Sequence, residues 1–458
     1  MGESGNGDGE IGGGAGNGRR IGGAGLLGIL GILGLVAIEA AAGREDWLWL
    51  AIPILGLLLG GIAGSPGRVW LAVGAAIVGD AAGGELGLDA LRGPYWFLLL
   101  AGHAGLIGLA FIVGTAVVWQ RRGLGRRWRN LVVGVVAISL VAFVGYAGVV
   151  GYLYSADYVN QPGSGGCQNP ASEFGWTYEA VNYDLADDAR LLAADPDPAT
   201  CKVPASTAGS TVVSTDGTPL AAWYVPAGDA AIGPTGPTLV LAHGGKSNKS
   251  GMLKYATPFH QAYNLLLVDL RNSGRSGATL NSGGVHERFD IRAMVDWLAR
   301  MKHPSWLALV ANSNGAAAGL AEAVDDARIR ALVLDSMQAD IVTQLGNVGE
   351  TEEHLPAWPG AWAVIVGAGL RVGGDLQAVD PIRMLPRLGD RPVLLLHGSA
   401  DAVDRPRDSL ERNVVAALDA GIDVSFHVCE GAPHGQVIDT CPDAWATWAT
   451  AFLHEARG

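Results

Sequence analysis

From residue 208 onward the chain reads as an α/β domain, a mostly parallel sheet with helices on both faces, and residues 21–154 read as an all-α polytopic membrane domain before it. Three observations predict this. Short apolar runs alternate with helical stretches through the second half, as βαβ units require. The hydrophobic share of 49% and positive mean hydropathy of +0.26 are high for a globular chain of 458 residues, and the excess is concentrated before residue 155. Finally, a serine, an aspartate and a histidine each stand just after a separate apolar run.

Residues 1–20 are glycine-rich and polar, with nothing to bury, so the sequence predicts a disordered cytoplasmic tail. Apolar segments at 21–42, 47–63, 95–119 and 131–154 approach the length of about 20 residues that crosses a bilayer, and 69–79 is a shorter fifth candidate. Positive residues stay on the cytoplasmic side, and Arg121, Arg122, Arg126, Arg127 and Arg129 crowd the loop before the last segment. With five spans Arg19, Arg20 and Arg68 join them inside, leaving Arg44 and Arg92 outside. Five spans therefore fit better than four, and either count sends the chain beyond Tyr154 to the extracytoplasmic face. A bilayer is the expected partner. Nucleic acid is not, because the net charge is −13 and no basic footprint exists outside the membrane loop.

All four cysteines, Cys167, Cys201, Cys429 and Cys441, lie beyond the last span. An even number in the outer region points to disulfides. Of the three possible pairings the sequence-local ones, Cys167 with Cys201 and Cys429 with Cys441, are favoured, and the second would bracket His434. No CxxC or clustered Cys/His spacing suggests a metal, and no cofactor is expected.

Residues 155–207 carry helix-breaking Gly and Pro clusters and read as a juxtamembrane linker partly packed on the following domain. A hairpin is expected around Asp216-Gly217, joining 211–214 to 220–225. Strands follow at 238–242, 264–269, 306–310, 331–334, 393–397 and 424–428. Helices are expected near 252–261, 289–301, 316–327 and 408–420, and 443–456 closes the domain. The insertion at about 336–390 reads as a cap, with Trp358, Trp362, Val364, Ile365 and Val366 making part of it apolar.

Ser313 lies in Ala311-Asn312-Ser313-Asn314-Gly315, between a strand and a helix. Small residues two before and two after the serine let a sharp strand-turn-helix elbow form. His243-Gly244-Gly245 ends the first parallel strand, so the N–H groups of Gly245 and Asn314 are placed to bind an oxyanion. Asp401 follows the strand ending at His397 and is placed to orient an imidazole, with Asp404 and Asp335 as rivals. His434 sits in Gly431-Ala432-Pro433-His434-Gly435, a turn short enough to swing the ring over Ser313. The polar turn Asp269-Leu270-Arg271-Asn272-Ser273-Gly274-Arg275-Ser276-Gly277 reads as structural.

With these residues in place, 211–453 resembles the α/β-hydrolase superfamily, and within it bacterial membrane-associated serine hydrolases of esterase or peptidase type. The resemblance implies Ser313 as nucleophile, His434 as base, Asp401 as orienting acid, and Gly245 and Asn314 as oxyanion donors. Ala311 departs from the usual first glycine of the elbow, and Asn272 stands where a glycine is usual. The expected activity is cleavage of carboxylic esters, including lipidic acyl esters, through an acyl-enzyme. A peptidase or an acyltransferase would use the same groups. A non-catalytic membrane sensor or transport component with a hydrolase-like binding domain is the alternative of another class.

Overall fold

A computed structural model describes residues 126–163, 165–188, 212–353 and 360–458. Of two compact units, Met1–Tyr146 and Ala147–Gly458, the second contains the whole sheet. In chain order its strands are β1 (Glu179–Val181), β2 (Ala221–Val225), β3 (Thr238–Ala242), β4 (Asn264–Asp269), β5 (Leu307–Asn312), β6 (Ile329–Asp335), β7 (Val393–Gly398) and β8 (Val424–Cys429). The described helices used below are α1 (Arg126–Asn160), α2 (Pro170–Phe174), α3 (Leu253–Ala256), α4 (Glu287–Met301), α5 (Ser313–Asp325), α6 (Ile341–Val348), α7 (Trp362–Val372), α8 (Pro381–Met384), α9 (Leu410–Asp419), α10 (Val437–Thr440) and α11 (Pro442–Arg457).

The strands lie side by side in the order β1-β2-β4-β3-β5-β6-β7-β8. β1 and β2 are antiparallel to their neighbours, and every pair from β4 to β8 is parallel. Runs such as Thr-Leu-Val-Leu-Ala in β3 are buried throughout, as a sheet covered on both faces requires. Successive side chains go to opposite faces. Val240 and Ala242 join the core beneath α4, α5 and α9, with Ile291, Leu320 and Val414. Leu239 and Leu241 join the other core, with Tyr255 of α3 and Trp445 and Leu453 of α11. Gly319 is required where α5 crosses the sheet, because a Cβ there would stand 2.1 Å from Leu309.

The expected strands all form, with ends displaced by one or two residues. The hairpin around Asp216-Gly217 is closed by a bridge between Val213 and Pro219. Within the segment read as a linker, the described residues up to Asp188 include regular elements. α2 is capped by Asn169, whose side chain accepts from the N–H groups of Ala171 and Ser172, and β1 adds an edge strand to the sheet. Asp188 is held by Tyr178, Tyr183, Trp223 and Arg275.

The expected spans 21–42, 47–63, 69–79 and 95–119 lie outside the described residues. Among the described residues no helix is long and apolar enough to cross a membrane. The expected span 131–154 falls on α1, where most side chains before Val144 are outside the description. The last turns of α1 pack on the cap. Gly151 lies against Ala363, Arg371 Nε donates to Ser155 Oγ at 3.0 Å, and Val159 is buried with Ile341, Ile365 and Ala368.

Candidate active site

β5 ends at Asn312 and α5 begins at Ser313, with no residue between them. The turn is possible because Ser313 adopts φ 48°, a left-handed conformation that is strained for a residue with a Cβ. Its surroundings enforce it. A Cβ on Gly315 would lie 2.3 Å from the carbonyl oxygen of His243, and one on Gly244 would lie 3.0 Å from Ser313 Cβ. Ala311, the departure from the usual elbow, is harmless here: it is buried in the core and pairs with Ala242 across the sheet.

The elbow aims Ser313 Oγ at His434, 2.9 Å from Nε2, and His434 Nδ1 lies 2.8 Å from Asp401 Oδ2. With Nδ1–H donating to the carboxylate, Nε2 carries the lone pair that accepts from the serine hydroxyl. Asp401 Oδ1 in turn accepts from the N–H groups of Val403 at 3.0 Å and Asp404 at 2.7 Å. The histidine turn is tied down at both ends. Gly431 N–H donates to Ser399 Oγ, Gly435 N–H donates to Ser336 Oγ, and a disulfide joins Cys429 to Cys441 around it. Cys167 is also disulfide-bonded, and Cys201, its expected partner, lies outside the described residues.

Asp404 is a neighbour of the relay as well as a rival to Asp401. Its Oδ2 lies 3.6 Å from His434 Nδ1, while Gln344 of the cap donates to the same oxygen at 2.9 Å. Burial pushes the Asp404 carboxyl up to about 7, with the charge of Asp401 adding to the effect. Burial alone would lower the basicity of His434; its hydrogen bond to Asp401 and the charges of Asp401, Asp404 and Asp335 outweigh this and raise it. Asp335, the weaker rival, is turned elsewhere. It accepts from Trp445 Nε1 at 2.9 Å and Ser336 Oγ at 2.8 Å, and burial lifts it to about 6. Gln344 and Ser336 carry no local signal in the sequence, since both act across long chain separations.

Of the expected oxyanion donors, Asn314 follows Ser313 directly in the chain and Gly245 follows Gly244, which lies against Ser313 in the fold. Asn314 begins the first turn of α5, where backbone N–H groups have no helical partner. Gly244 abuts Ser313, and a Cβ on Gly245 would meet nothing within 4 Å, leaving room beside its peptide. His243 sets that peptide. Its Nε2 accepts from Leu270 N–H at 3.1 Å, which places the ring proton on Nδ1, 2.7 Å from the carbonyl oxygen of Gly244. The N–H of Gly245 is anti to that carbonyl, so this bond orients its peptide from the core side. Burial holds the imidazole in the neutral form this needs.

The turn after β4 is structural, as its sequence suggests. Lys249 pairs with Asp269, Arg271 is held by Asp290 and Asp216, and Arg275 pairs with Asp188. Asn272 takes φ 56° in place of the usual glycine, a conformation asparagine tolerates. Among the described residues no three His, Cys, Asp or Glu side chains converge as a metal-ligand set.

The sheet order and the placement of Ser313 between β5 and α5 have the arrangement of the α/β-hydrolase fold. No family model matches the chain. A curated relative, the uncharacterized protein YqkD of Bacillus subtilis (strain 168), is 28% identical over 170 residues, which are 36% of this chain and 55% of that protein. The match thus spans about half the length of the relative. Among solved structures, the Pyrococcus furiosus esterase Pf2001 is 18% identical, with a TM-score of 0.48 over 65% of this chain and 99% of that one. The Pyrococcus horikoshii acylaminoacyl peptidase is 16% identical, with a TM-score of 0.40 over 51% of this chain and 38% of that one.

A negative charge beside His434 stabilises its imidazolium, so removing that charge must lower the pH at which the ring loses its proton. Asp404→Asn is therefore expected to move the acid limb of the kcat/KM profile to lower pH. The measurement is ester hydrolysis from pH 5 to 9; an acid limb that stays in place or moves upward contradicts the electrostatic role.

Proposed function

We propose that the chain is a serine hydrolase that cleaves carboxylic esters, lipidic acyl esters included, through an acyl-enzyme. The observation that carries this reading is the continuous relay from Ser313 Oγ through His434 to Asp401, at 2.9 and 2.8 Å. Ser313 Oγ attacks the ester carbonyl carbon as its proton passes to His434 Nε2. The carbonyl electrons move onto oxygen, where the N–H groups of Gly245 and Asn314 receive the negative charge. Collapse expels the alkoxide, protonated by His434, and leaves the acyl group on Ser313. Water then attacks, giving its proton to His434, and the second collapse releases the carboxylic acid and restores the serine.

A hydrophobic acyl group is favoured by the cap. Trp362, Val366 and Leu370 recur at helical spacing on α7 and are exposed. The cap also reaches the relay, because Gln344 of α6 touches Asp404.

The reading includes a membrane anchor at 21–154, with the catalytic domain on the extracytoplasmic face. Its support is the apolar composition of that segment, the arginine cluster before its last run, and the Cys429–Cys441 disulfide, which suits an oxidising compartment.

A fluorophosphonate probe is expected to label the wild-type protein and leave Ser313→Ala unlabelled, with ester turnover reduced by at least about 10³-fold. A folded wild-type protein that takes no label overturns the enzyme in favour of a binding domain. A panel of acyl esters and aminoacyl amides should show faster turnover of the esters; faster turnover of the amides makes the protein a peptidase. In intact cells, added protease is expected to degrade the region after residue 160, and complete protection of that region contradicts the orientation.

A further inference from the structure

The loop that supplies the oxyanion donor is anchored firmly at one end by the core. His243 is buried and hydrogen-bonded to Leu270 N–H, and Gly244 is wedged against Asn312 and Ser313. The other end is different. Lys246 takes φ 58°, a strained conformation for a lysine, so the turn does not hold its shape by local preference. It has to be fixed from outside.

The outside support is the strap formed by residues 161–163 and 165–168, which leaves the end of α1. Gly163 pairs with Ser273 in a parallel bridge, and its N–H donates to the carbonyl of Asn272 at 3.0 Å. Gly163 is packed so closely that a Cβ there would stand 2.0 Å from the carbonyl oxygen of Ser247 in the oxyanion loop and 2.3 Å from Ser273 Oγ. Gly165 fits against Asn248 in the same manner, at 2.3 Å from its Oδ1. Asn248 Nδ2 donates to the carbonyl of Gly166 at 3.3 Å, and Ser250 Oγ donates to the carbonyl of Gln168 at 2.7 Å. Asn248 is buried and also caps the short helical turn after it, so a shift of the strap is felt directly by residues 247–250.

The strap itself has fixed ends. At one, Asn281 N–H donates to the carbonyl of Val159, and Val159 is buried under the cap. At the other, Ser250 Oγ holds the carbonyl of Gln168, next to the disulfide-bonded Cys167.

We propose that this strap is a positioning element for the oxyanion turn, with Gly163 and Gly165 as its positioning residues. Their missing side chains let the strap lie against Ser247 and Asn248 and hold Gly245 N–H where the tetrahedral intermediate develops its charge. The proposal rests on the serine-hydrolase reading above. The strap's contacts run to Ser247, Asn248, Ser250, Asn272 and Ser273, so its influence falls on the oxyanion loop. Displacing it should weaken binding of the tetrahedral state and spare binding of the substrate.

The test uses the full-length chain and the variant Gly163→Ala, whose methyl group cannot be accommodated between the Ser247 carbonyl and Ser273 and so pushes the strap away from the oxyanion loop. Loss of an oxyanion donor outright costs about 10² to 10³ in kcat. A displaced donor should therefore lower kcat by about 10- to 100-fold, with KM changed less than about threefold. Affinity for an alkyl boronic acid, whose adduct on serine is tetrahedral, should fall by the same factor as kcat, while affinity for the product carboxylate stays at the wild-type value. Ser250→Ala, which removes one strap bond and adds no atoms, should move kcat and boronate affinity in the same direction by a smaller factor. A folded Gly163→Ala protein with wild-type kcat and boronate affinity overturns the proposal. So does a parallel loss of boronate and carboxylate affinity, which would mark general damage. If Gly163→Ala does not fold, Ser250→Ala decides: lowered kcat with lowered boronate affinity supports the proposal, and unchanged values overturn it. A wild-type protein that neither labels nor turns over overturns the serine-hydrolase reading itself, and the strap proposal with it.

Discussion

The close approach of β5, the start of α5 and the end of β3 is the constraint on which the site depends. Three backbones meet where Gly315 faces the carbonyl of His243 at a distance no side chain would fit, and a Cβ on Gly244 would stand 3.0 Å from Ser313 Cβ. That crowding holds Ser313 at φ 48°. The strain is sustained because the strands on either side are buried and paired along their length, so the turn cannot relax without pulling β5 from β3 and β6. Its chemical consequence is twofold: Oγ projects out of the sheet toward His434, and the first N–H groups of α5 face the same space.

Behind the histidine the protein concentrates carboxylates. Asp401 is bound to the ring, Asp404 lies 3.6 Å from it, and Asp335 contributes through its charge. Each is buried, and each takes hydrogen bonds that decide its part. Asp401 receives two backbone N–H bonds as well as the imidazole. Asp404 receives only weaker side-chain support from Gln344 and Ser409, and its carboxyl is pushed up to about 7. Through Gln344 it also connects the cap to the carboxylate beside His434.

Much of this was legible in the chain. The strand positions followed from continuous apolar runs, and Ser313, Asp401 and His434 stood out because each follows one of those runs. The legible part was local: strands, turns and the residues that end them. Asp404 was visible only as a rival three residues from Asp401, because spacing cannot say which of two carboxylates meets a ring from a different strand. Gln344, Ser336 and the strap glycines were invisible for the same reason, since each acts on residues tens of positions away. Residues 155–207 looked like a linker because Gly and Pro mask short elements; Asn169 capping α2 and the pairing of β1 with β2 depend on contacts that no local pattern encodes. The membrane segments rest on composition and charge alone.

The central claim is that the strained elbow makes Ser313 a nucleophile that carries the acyl group. The most direct measurement is rapid acid quenching during turnover of an activated acyl ester, followed by intact-protein and peptide mass spectrometry. The account predicts a mass gain equal to one acyl group, located on the peptide containing Ser313, present in the wild-type protein and absent from His434→Ala. Ester turnover with no acyl adduct, or with the adduct on another residue, would contradict it.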